Sequence, residues 1–181
     1  KAAPDGYTLF FASNTPVAAA PALRKSLPYD PMKDLTPITM MGYFTFFLYV
    51  NPAVPAKTLA ELIAYAKANP GKLSYGSGNA TGSVGGAQIA ALSGVDMVHV
   101  PYKGEPQALV DLLMGRIDLM IATPTTGLSH TKEGKLRALA TTLKERSPML
   151  PDVPTIYEAG LPQFTITSWG GMFGPAKMPK E

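Results

Sequence analysis

Apolar positions along the chain follow two periods, one typical of strands and one typical of helices. Tyr7–Ser13 is a short, mostly apolar run after the Pro4-Asp5-Gly6 turn and is predicted to be a strand. Thr58 and Glu61 have the spacing of a capping box and open a predicted helix that ends at Asn69-Pro70-Gly71. The same criteria predict further strands at residues 38–50, 73–76, 95–100, 117–122, 136–142 and 164–169. They predict further helices at residues 16–26, at 83–92 before Gly94, from Pro106 onward, and at 155–160, where Thr155 and Glu158 repeat the capping spacing.

Strands and helices alternate about five times between residues 58 and 169. This order predicts an α/β fold in which a parallel sheet carries helices on both faces. In such sheets, ligands bind outside the carboxyl ends of the strands. The candidate ligand loops are therefore those that follow strands: Ser13–Val17, Ser77–Ser83, Pro101–Glu105 and Thr123–Gly127.

The composition is that of a folded protein. The 181 residues are 46% hydrophobic and 16% charged, which is enough apolar material for one or two packed domains. The absence of cysteine excludes disulfides, thiolate catalysis and cysteine-based zinc sites. The apolar run within residues 38–50 is too short for a membrane helix, which needs about 20 residues. The chain begins with Lys1, so we interpret it as processed or truncated, and its N-terminus does not indicate localisation.

Charge is distributed along the whole sequence. The net charge is +3, and basic and acidic residues are interleaved. The densest basic stretches are Arg24-Lys25 and residues 132–146, and neither contains interleaved aromatic residues. A regulatory or nucleic-acid-binding domain that uses residues 132–146 is an alternative function. The scattered charge and the lack of interleaved aromatic residues argue against it.

The strongest local signal is the loop Tyr75-Gly-Ser-Gly-Asn-Ala-Thr-Gly-Ser83, between a predicted strand and a predicted helix. Its glycines allow close backbone approach, and its amides together with the helix dipole would attract an anion. The glycine spacing is not that of a dinucleotide fingerprint, and no Lys-Ser or Lys-Thr follows it as in a P-loop. We expect anion binding at the start of the helix, helped by Asn79 and Thr81. The alternative is a tight turn with Ser83 as a simple N-cap.

Signals for catalysis or metal binding are weak. Ser129-His-Thr-Lys132 fits the S-x-x-K pattern of penicillin-binding enzymes, but S-D-N and K-T-G are both missing. A polar surface turn is the favoured interpretation of this stretch. His99 in a predicted strand and His130 in that turn are isolated, so we expect no metal site.

An α/β hydrolase or transferase that uses Ser77 or Ser83 is the second functional hypothesis. No nucleophile-elbow sequence and no nucleophile–base pair supports it. Asp111 and Asp118 are interpreted as a solvent-facing helix position and a strand edge rather than as catalytic carboxylates. We therefore assign no catalytic residue.

Two aromatic residues have two interpretations each. Tyr102 either offers its hydroxyl to a ligand or packs as a lid on the core. The adjacent Lys103 would supply a positive electrostatic field at the same loop. Trp169 is either a ligand wall or part of the core, and a lone tryptophan is more often core.

Seven short segments, spread over nearly the whole chain, together form a recognisable ordered pattern. They are Pro4–Leu9, Leu27–Ile38, Glu61–Ser77, His99-Val-Pro-Tyr-Lys-Gly104, Gly134–Ala140, Leu150-Pro-Asp-Val-Pro-Thr155 and Glu158-Ala-Gly160. Each is weak evidence alone, but the ordered set resembles the periplasmic solute receptors of tripartite tricarboxylate transporters, the Bug receptor family.

The resemblance implies a two-domain, periplasmic-binding-protein-like α/β fold of parallel sheets flanked by helices. Residues 48–169 would form an intact second domain, and residues 1–47 plus 170–181 part of the first. The implied function is to close on a small carboxylate, namely a di-, tri- or aromatic carboxylic acid, and to deliver it to the membrane permease of the transporter. No cofactor and no chemistry are implied, and the implied location is periplasmic. We expect a monomer without a nucleic-acid partner.

Carried over by position, the family's ligand loops fall on Ser13–Thr15 in one domain and on Ser77–Ser83 and Thr123-Pro124 in the other. These are three of the four loops that the strand-end argument selects. With Tyr102, the candidate ligand-binding residues are Ser13, Asn14, Thr15, Ser77, Asn79, Ala80, Thr81, Gly82, Ser83, Tyr102, Thr123 and Pro124.

The sequence departs from the family pattern in ways that bear on the ligand. Many relatives carry histidine where this chain has Ser83, and aspartate where it has Thr123. Relatives also extend further at both ends, so the chain resembles a fragment that lacks a Gly-rich ligand loop. Glu105 is the only acidic residue of the four candidate loops and is expected to face solvent. A plain di- or tricarboxylate or an aromatic acid is therefore expected over an α-amino acid, whose ammonium group would be costly to bury.

Overall fold

The computed structural model describes residues 2–178, which form two units. One unit comprises the described residues up to Phe44 together with those from Ser168 onward, and the other comprises Thr45–Thr167. The strands are β1 (Phe10–Ser13), β2 (Leu35–Phe44), β3 (Phe47–Val50), β4 (Ser74–Ser77), β5 (Val98–Pro101), β6 (Leu119–Ala122), β7 (Arg137–Thr141) and β8 (Ser168–Pro175). The helices are α1 (Ala20–Leu23), α2 (Pro31–Asp34), α3 (Leu59–Ala68), α4 (Ala80–Ser93), α5 (Glu105–Leu113) and α6 (Pro124–Lys132), and a π-helical turn lies at Thr15–Ala19. No helix within residues 2–178 is long and apolar enough to cross a membrane.

The first unit is built on an antiparallel sheet of order β1-β8-β2. Phe10 in β1 pairs with Phe173 in β8, and Leu35 at the start of β2 pairs with Pro175 at the end of β8. Two register shifts interrupt the pairing of β2 with β8. Gly42, at the second shift, has a φ of +147°, a conformation that favours glycine.

Three predicted boundaries in this part of the chain are wrong. The segment 38–50, predicted to be one extended stretch, is two strands, because β2 pairs with β8 whereas β3 belongs to the sheet of the second unit. The strand predicted at 164–169 begins only at Ser168 and continues to Pro175 along β1 and β2. The helix predicted at 16–26 is a π-helical turn followed by α1, and it stops at Leu23 because Arg24 is extended.

The second unit carries a five-stranded sheet of order β5-β4-β6-β3-β7. β4 is parallel to β5 and β6, whereas β3 is antiparallel to β6 and β7, so the sheet is mixed rather than purely parallel. β3 and β6 are buried at every position, as expected for strands covered on both faces. Phe47, Tyr49 and Met120 are each 0% exposed, so the core is centred on these two strands.

Capping residues explain where the helices of the second unit begin. Thr58 Oγ1 accepts a hydrogen bond from Glu61 N at 3.1 Å, and α3 follows as predicted. Thr155 and Glu158 also form their two reciprocal hydrogen bonds, but the chain beyond them makes turns rather than the predicted helix. α6 is a helix that the sequence analysis missed, because the polar composition of Ser129–Lys132 is typical of a surface turn. The other strands and α5 lie within the predicted segments or extend one residue beyond them.

Helix α4 begins at Ala80 rather than at Ser83 as predicted. Asn79 is its N-cap, since Asn79 Oδ1 accepts a hydrogen bond from Gly82 N at 2.9 Å. The glycines of α4 let the helix lie close to the sheet: a Cβ on Gly86 would be 2.3 Å from Tyr75 Cδ2. Packing against the sheet therefore accounts for part of the bias toward small residues that the sequence analysis attributes to ligand binding.

Candidate functional site

Three helices of the second unit begin at one edge of its sheet. β4 is parallel to β5 and β6, so the carboxyl ends of these strands lie at the same edge. α4, α5 and α6 start directly after the three strands, with Asn79, Gly104 and Thr123 at their N-cap positions. A helix N-terminus carries partial positive charge and has amides without intrahelical acceptors. This edge therefore offers hydrogen-bond donors and positive potential.

The carboxylate of Glu105, in the first turn of α5, links the starts of the other two helices. Its Oε1 accepts a hydrogen bond from Asn79 Nδ2 at 2.6 Å. Its Oε2 accepts from the Thr123 amide at 3.1 Å, from Thr123 Oγ1 at 2.7 Å and from Thr126 Oγ1 at 2.5 Å. We call Asn79, Glu105, Thr123 and Thr126 the Glu105 cluster. One side chain thus joins the loop before α4 to the start of α6.

The Glu105 cluster corrects a sequence expectation. Glu105 was expected to face solvent, but its side chain turns toward Asn79 and Thr123. The reason is electrostatic, because a carboxylate is stabilised by donors and by nearby helix N-termini. The expected preference for a plain carboxylate over an α-amino acid therefore loses its premise, since an acidic group does lie among the candidate residues.

Gly78 brings the glycine-rich loop into backbone contact with the start of α5. A Cβ built on Gly78 would lie 2.1 Å from Glu105 N and 2.3 Å from the Gly104 carbonyl carbon. No side chain fits in this space unless the backbone moves. The close approach predicted for the glycines of this loop is present here, and what approaches Gly78 is the protein's own backbone.

Ser77 and His99 form a pair that the sequence analysis did not find. Ser77 Oγ lies 2.7 Å from His99 Nε2, and the His99 ring stacks on Tyr75 with centroids 4.7 Å apart. The two residues lie on the parallel pair β4–β5, where Ser77 pairs with Pro101 and Tyr75 with His99. A serine–histidine pair therefore exists, contrary to the prediction that the chain has no nucleophile–base pair. Ser77 is 4% exposed, however, so its hydroxyl is enclosed by the protein.

The hydroxyl of Tyr102 is engaged within the protein. It donates to Asp111 Oδ2 at 2.8 Å, and the ring packs against the buried cluster around Phe47 and Leu112. Burial raises the pKa of Tyr102 to about 12, and the hydrogen bond to Asp111 adds to the shift. The hydrogen bond from Tyr102, followed by that from Arg116, lowers the pKa of Asp111. These contacts favour the interpretation of Tyr102 as a lid on the core.

The two aspartates also have more specific roles than the sequence analysis gave them. Asp111 accepts from Tyr102 and from Arg116 Nη1, the latter at 2.9 Å, so it is not simply solvent-facing. Asp118 Oδ2 accepts from the Ser74 amide at 2.7 Å and from Ser74 Oγ at 3.0 Å. Both aspartates therefore connect secondary-structure elements, Asp111 from α5 and Asp118 beside β4 and β6.

The hydroxyl of Tyr49 is buried, and the negative charge of Glu105 acts on it. The side chain is 0% exposed, and within residues 2–178 its hydroxyl has no hydrogen-bond partner. Burial raises the pKa of Tyr49, and the negative charge of Glu105 raises it further. Gly127 in α6 lies against this ring, where a Cβ would be 2.5 Å from Tyr49 Cζ. No sequence pattern indicated this buried phenol.

The other candidate residues of this unit lie in the first turns of α4 and α6. Ala80, Ser83 and Pro124 are partly exposed, whereas Thr81 and Gly82 are buried. Thr125 and Thr126 follow Pro124 and were not among the candidates. Thr126 contacts Glu105, and Thr125 Oγ1 lies 2.9 Å from Thr123 Oγ1. The strand-end argument includes both threonines in the loop Thr123–Gly127, although neither is in the residue-level set.

The candidate residues of the first unit lie at the end of β1. Ser13 is its last residue, Asn14 precedes the π-helical turn, and the Thr15 amide donates to Ser13 Oγ at 3.3 Å. Asn14 Oδ1 accepts from Ser168 Oγ at 2.8 Å, which ties this turn to the start of β8. Ser13, Asn14 and Thr15 are therefore adjacent in this unit.

A metal centre has no support among residues 2–178, where no group of three or more metal-ligating His, Cys, Asp or Glu side chains occurs. Lys135 lies next to Glu133 at 2.8 Å near the end of α6, and this exposed ion pair is a surface feature. The polar groups described at this edge of the sheet are the Glu105 cluster, the Ser77–His99 pair and the starts of three helices.

Comparison with known proteins identifies the family. Residues 1–181 match the family TctC, which is described as the tripartite tricarboxylate transporter family receptor. The chain therefore belongs to the tripartite tricarboxylate transporter receptor family. Protein BugT of Bordetella pertussis is 37% identical over 181 residues, which cover 97% of this chain and 55% of BugT. The predicted resemblance to the Bug receptors is thereby confirmed.

Two solved structures are similar over the whole chain. One is Rpa4515 of R. palustris with adipate, 32% identical with a TM-score of 0.88, matched over 99% of this chain and 61% of that one. The other is MatC from Rhodopseudomonas palustris with bound malate, 33% identical with a TM-score of 0.86, matched over 99% and 62%. They confirm the predicted α/β fold class. The chain spans about half the length of the curated relatives it matches, for example 54% of a UPF0065 protein from Pseudomonas sp. (strain P51).

Proposed function

We propose that the protein is an extracytoplasmic receptor that binds a small carboxylate in the periplasm and delivers it to the permease of a tripartite tricarboxylate transporter. Family membership supports this role, and two similar structures hold the dicarboxylates adipate and malate. Receptors of this kind bind without chemical conversion, so no catalytic residue is part of the proposal. The main structural support for this receptor role is that α4, α5 and α6 all begin at one edge of the sheet.

The ligand carboxylate would meet the first turn of α4. The Gly82 and Ser83 amides of this turn already donate to Asn79, so the turn offers the ligand its polar side chains and the partial positive charge of the helix dipole. Asn79, Ala80, Thr81 and Ser83 are the proposed ligand residues here. The interaction with the helix terminus contributes about 0.3–1 kcal/mol at exposed sites and roughly 2 kcal/mol when partly buried.

Residues beyond α4 complete the proposed set. Thr123 and Pro124 at the start of α6 lie at the same edge of the sheet, and Ser77 ends β4 there. Ser13–Thr15 of the first unit remain proposed ligand residues by analogy with the family. Ser77 and Tyr102 are the weakest members of the set, because Ser77 is buried with its hydroxyl against His99 and the Tyr102 hydroxyl already donates to Asp111.

Calorimetric titration with a panel of dicarboxylates, tricarboxylates and aromatic acids tests the proposal. Adipate and malate belong in the panel, and adipamide is the matched control because it replaces both carboxylates by neutral amides of nearly the same shape. We expect at least one carboxylate to bind and adipamide to bind at least about tenfold more weakly than adipate, a difference of about 1.4 kcal/mol. Equal binding of adipate and adipamide, or no binding by any acid, would contradict a carboxylate receptor.

The pair Ser77–His99 favours a hydrolase as the second candidate function, because a serine within hydrogen-bond distance of histidine is the arrangement of an activated nucleophile. The burial of Ser77 argues against attack on a substrate. A fluorophosphonate probe, which labels activated serines, distinguishes the two candidates. We expect no labelling, and labelling at Ser77 that is lost in His99→Ala would support the hydrolase.

A further inference from the structure

We infer that Glu105 is a positioning residue that holds the loop before α4 and the start of α6 in the arrangement that receives the ligand. The inference deepens the proposed function and rests on it, because these two segments contain four of the proposed ligand residues, Ser77, Asn79, Thr123 and Pro124, and flank the first turn of α4. Glu105 acts through its neighbours rather than through contact with the ligand. Its four hydrogen bonds divide into an asparagine arm at Oε1 and a threonine arm at Oε2.

The asparagine arm requires both ends of the Asn79 side-chain amide. Asn79 Oδ1 accepts from Gly82 N and caps α4, while Asn79 Nδ2 donates to Glu105 Oε1 at 2.6 Å. An aspartate would preserve the cap, because aspartate and asparagine are equally good N-cap residues. It has no hydrogen to donate to Glu105, so it would place two carboxylates against each other. The orientation of the Asn79 amide is therefore set by its two partners together.

The threonine arm directs three donors to a single oxygen. Glu105 Oε2 accepts from the Thr123 amide and from the hydroxyls of Thr123 and Thr126. A hydroxyl has one hydrogen, so if the Thr123 hydroxyl donates to Glu105, the contact at 2.9 Å with Thr125 Oγ1 has Thr125 as the donor. Hydrogen bonds to an ionised group are stronger than neutral ones, so this arm fixes the first turn of α6.

Backbone packing reinforces the same connection. Gly78 lies directly against Glu105 N, where a Cβ would be only 2.1 Å away. The glycine-rich loop therefore contacts the backbone of residue 105 and, through Asn79, its side chain. Two independent contacts hold the loop to the start of α5.

A positioning role and a purely electrostatic role for Glu105 predict opposite results for Glu105→Gln. The substitution removes one negative charge from a site that binds an anion, and charge alone therefore predicts tighter binding. The introduced glutamine can keep its Oε1 toward the threonine arm, but its Nε2 then faces Asn79 Nδ2, and two donors cannot bond. If Glu105 positions the loops, the loss of the asparagine arm weakens binding.

A charge-matched exchange provides the rescue. In the double variant Asn79→Asp with Glu105→Gln, the introduced glutamine donates through Nε2 to the introduced aspartate, which still caps α4, and the pair keeps a single negative charge. We expect each single variant to bind malate and adipate about tenfold more weakly than the parent, which is about 1.4 kcal/mol, and the double variant to recover most of the loss. Glu61→Gln is the matched control, because Glu61 also lies in the first turn of a helix, α3, and accepts a hydrogen bond from Lys57 N. Glu61 is remote from the proposed site: Val50 at the end of β3 pairs with Leu119 at the start of β6, so α3 follows from the opposite edge of the sheet.

Amide hydrogen exchange gives a readout that needs no ligand. The Gly82 amide donates to Asn79, so its exchange should accelerate in Glu105→Gln and return toward the parent rate in the double variant, while Glu61→Gln leaves it unchanged. Tighter binding by Glu105→Gln, or a double variant whose Gly82 amide exchanges as fast as it does in Glu105→Gln, would overturn the inference. If the parent binds no acid at all, the proposed function fails, and unchanged Gly82 exchange in Glu105→Gln would then overturn the inference by itself.

Discussion

Replacing Gly78 by alanine tests the contact between the glycine-rich loop and the start of α5. The new Cβ would lie 2.1 Å from Glu105 N, 2.3 Å from the Gly104 carbonyl carbon and 2.6 Å from Glu105 Cα, whereas ordinary contacts lie at 3.4–4 Å. All three atoms belong to the backbone, so the loop or the start of α5 must move by about 1 Å. Overpacking of this kind costs about 1–3 kcal/mol, and we expect the upper end of that range because no flexible side chain can absorb the shift.

Thermal unfolding followed by circular dichroism measures this cost. For a chain of this length, about 3 kcal/mol corresponds to a fall in Tm of roughly 6–12 °C. Gly104→Ala is the matched control on the facing segment, because its backbone φ of −168° suits alanine and the nearest atom to its Cβ is the end of the flexible Gln107 side chain at 3.1 Å. We expect the control to cost no more than about 1 kcal/mol. A Gly78→Ala variant as stable as Gly104→Ala would refute the described contact.

Three further substitutions have expected outcomes. Ala80→Asp should leave Tm unchanged or slightly raised, because an acidic residue in the first turn of α4 contributes about 0.3–1 kcal/mol, yet it should weaken carboxylate binding in calorimetry at least about tenfold. Tyr49→Phe should stabilise the protein or leave it unchanged in denaturant unfolding, because it removes a buried hydroxyl that has no partner within residues 2–178; a loss above about 1 kcal/mol would contradict this. Tyr102→Phe should cost about 0.5–1.5 kcal/mol through the lost bond to Asp111. Since the pKa of Tyr102 is raised from 10.0 to about 12, this difference from the parent is full below pH 10 and declines as pH rises toward 12, and a constant difference would contradict it.

Local signals in the sequence predicted much of the second unit. The capping spacing of Thr58 and Glu61 placed α3, because the cap depends on residues only three positions apart. Alternating strands and helices placed the candidate loops at strand ends, where the first turns of α4 and α6 lie. The same local reasoning failed at Thr155, where the capping bonds form but no helix continues. A cap favours a helix start and does not by itself supply the packing that extends it.

What the sequence did not predict depends on residues that are distant along the chain. The antiparallel position of β3 between β6 and β7 is a tertiary arrangement that the helix–strand order does not encode. The orientation of Glu105 depends on Asn79, 26 positions away, and on Thr123, 18 positions away. Ser77 and His99 are likewise 22 positions apart and meet only through the pairing of β4 with β5. Periodicity and capping patterns contain no information about such contacts.

In the proposed receptor, a carboxylate binds at the sheet edge where α4, α5 and α6 begin. Amide chemical-shift mapping tests it most directly, with the labelled protein titrated with malate and adipate and with adipamide as the neutral comparison. The acids should cause their largest shifts at Asn79–Ser83 and at Thr123, with little change at Glu61 on the opposite edge, and adipamide should cause none of comparable size. Saturable shifts confined to other parts of the chain, or equal shifts with adipamide, would contradict it.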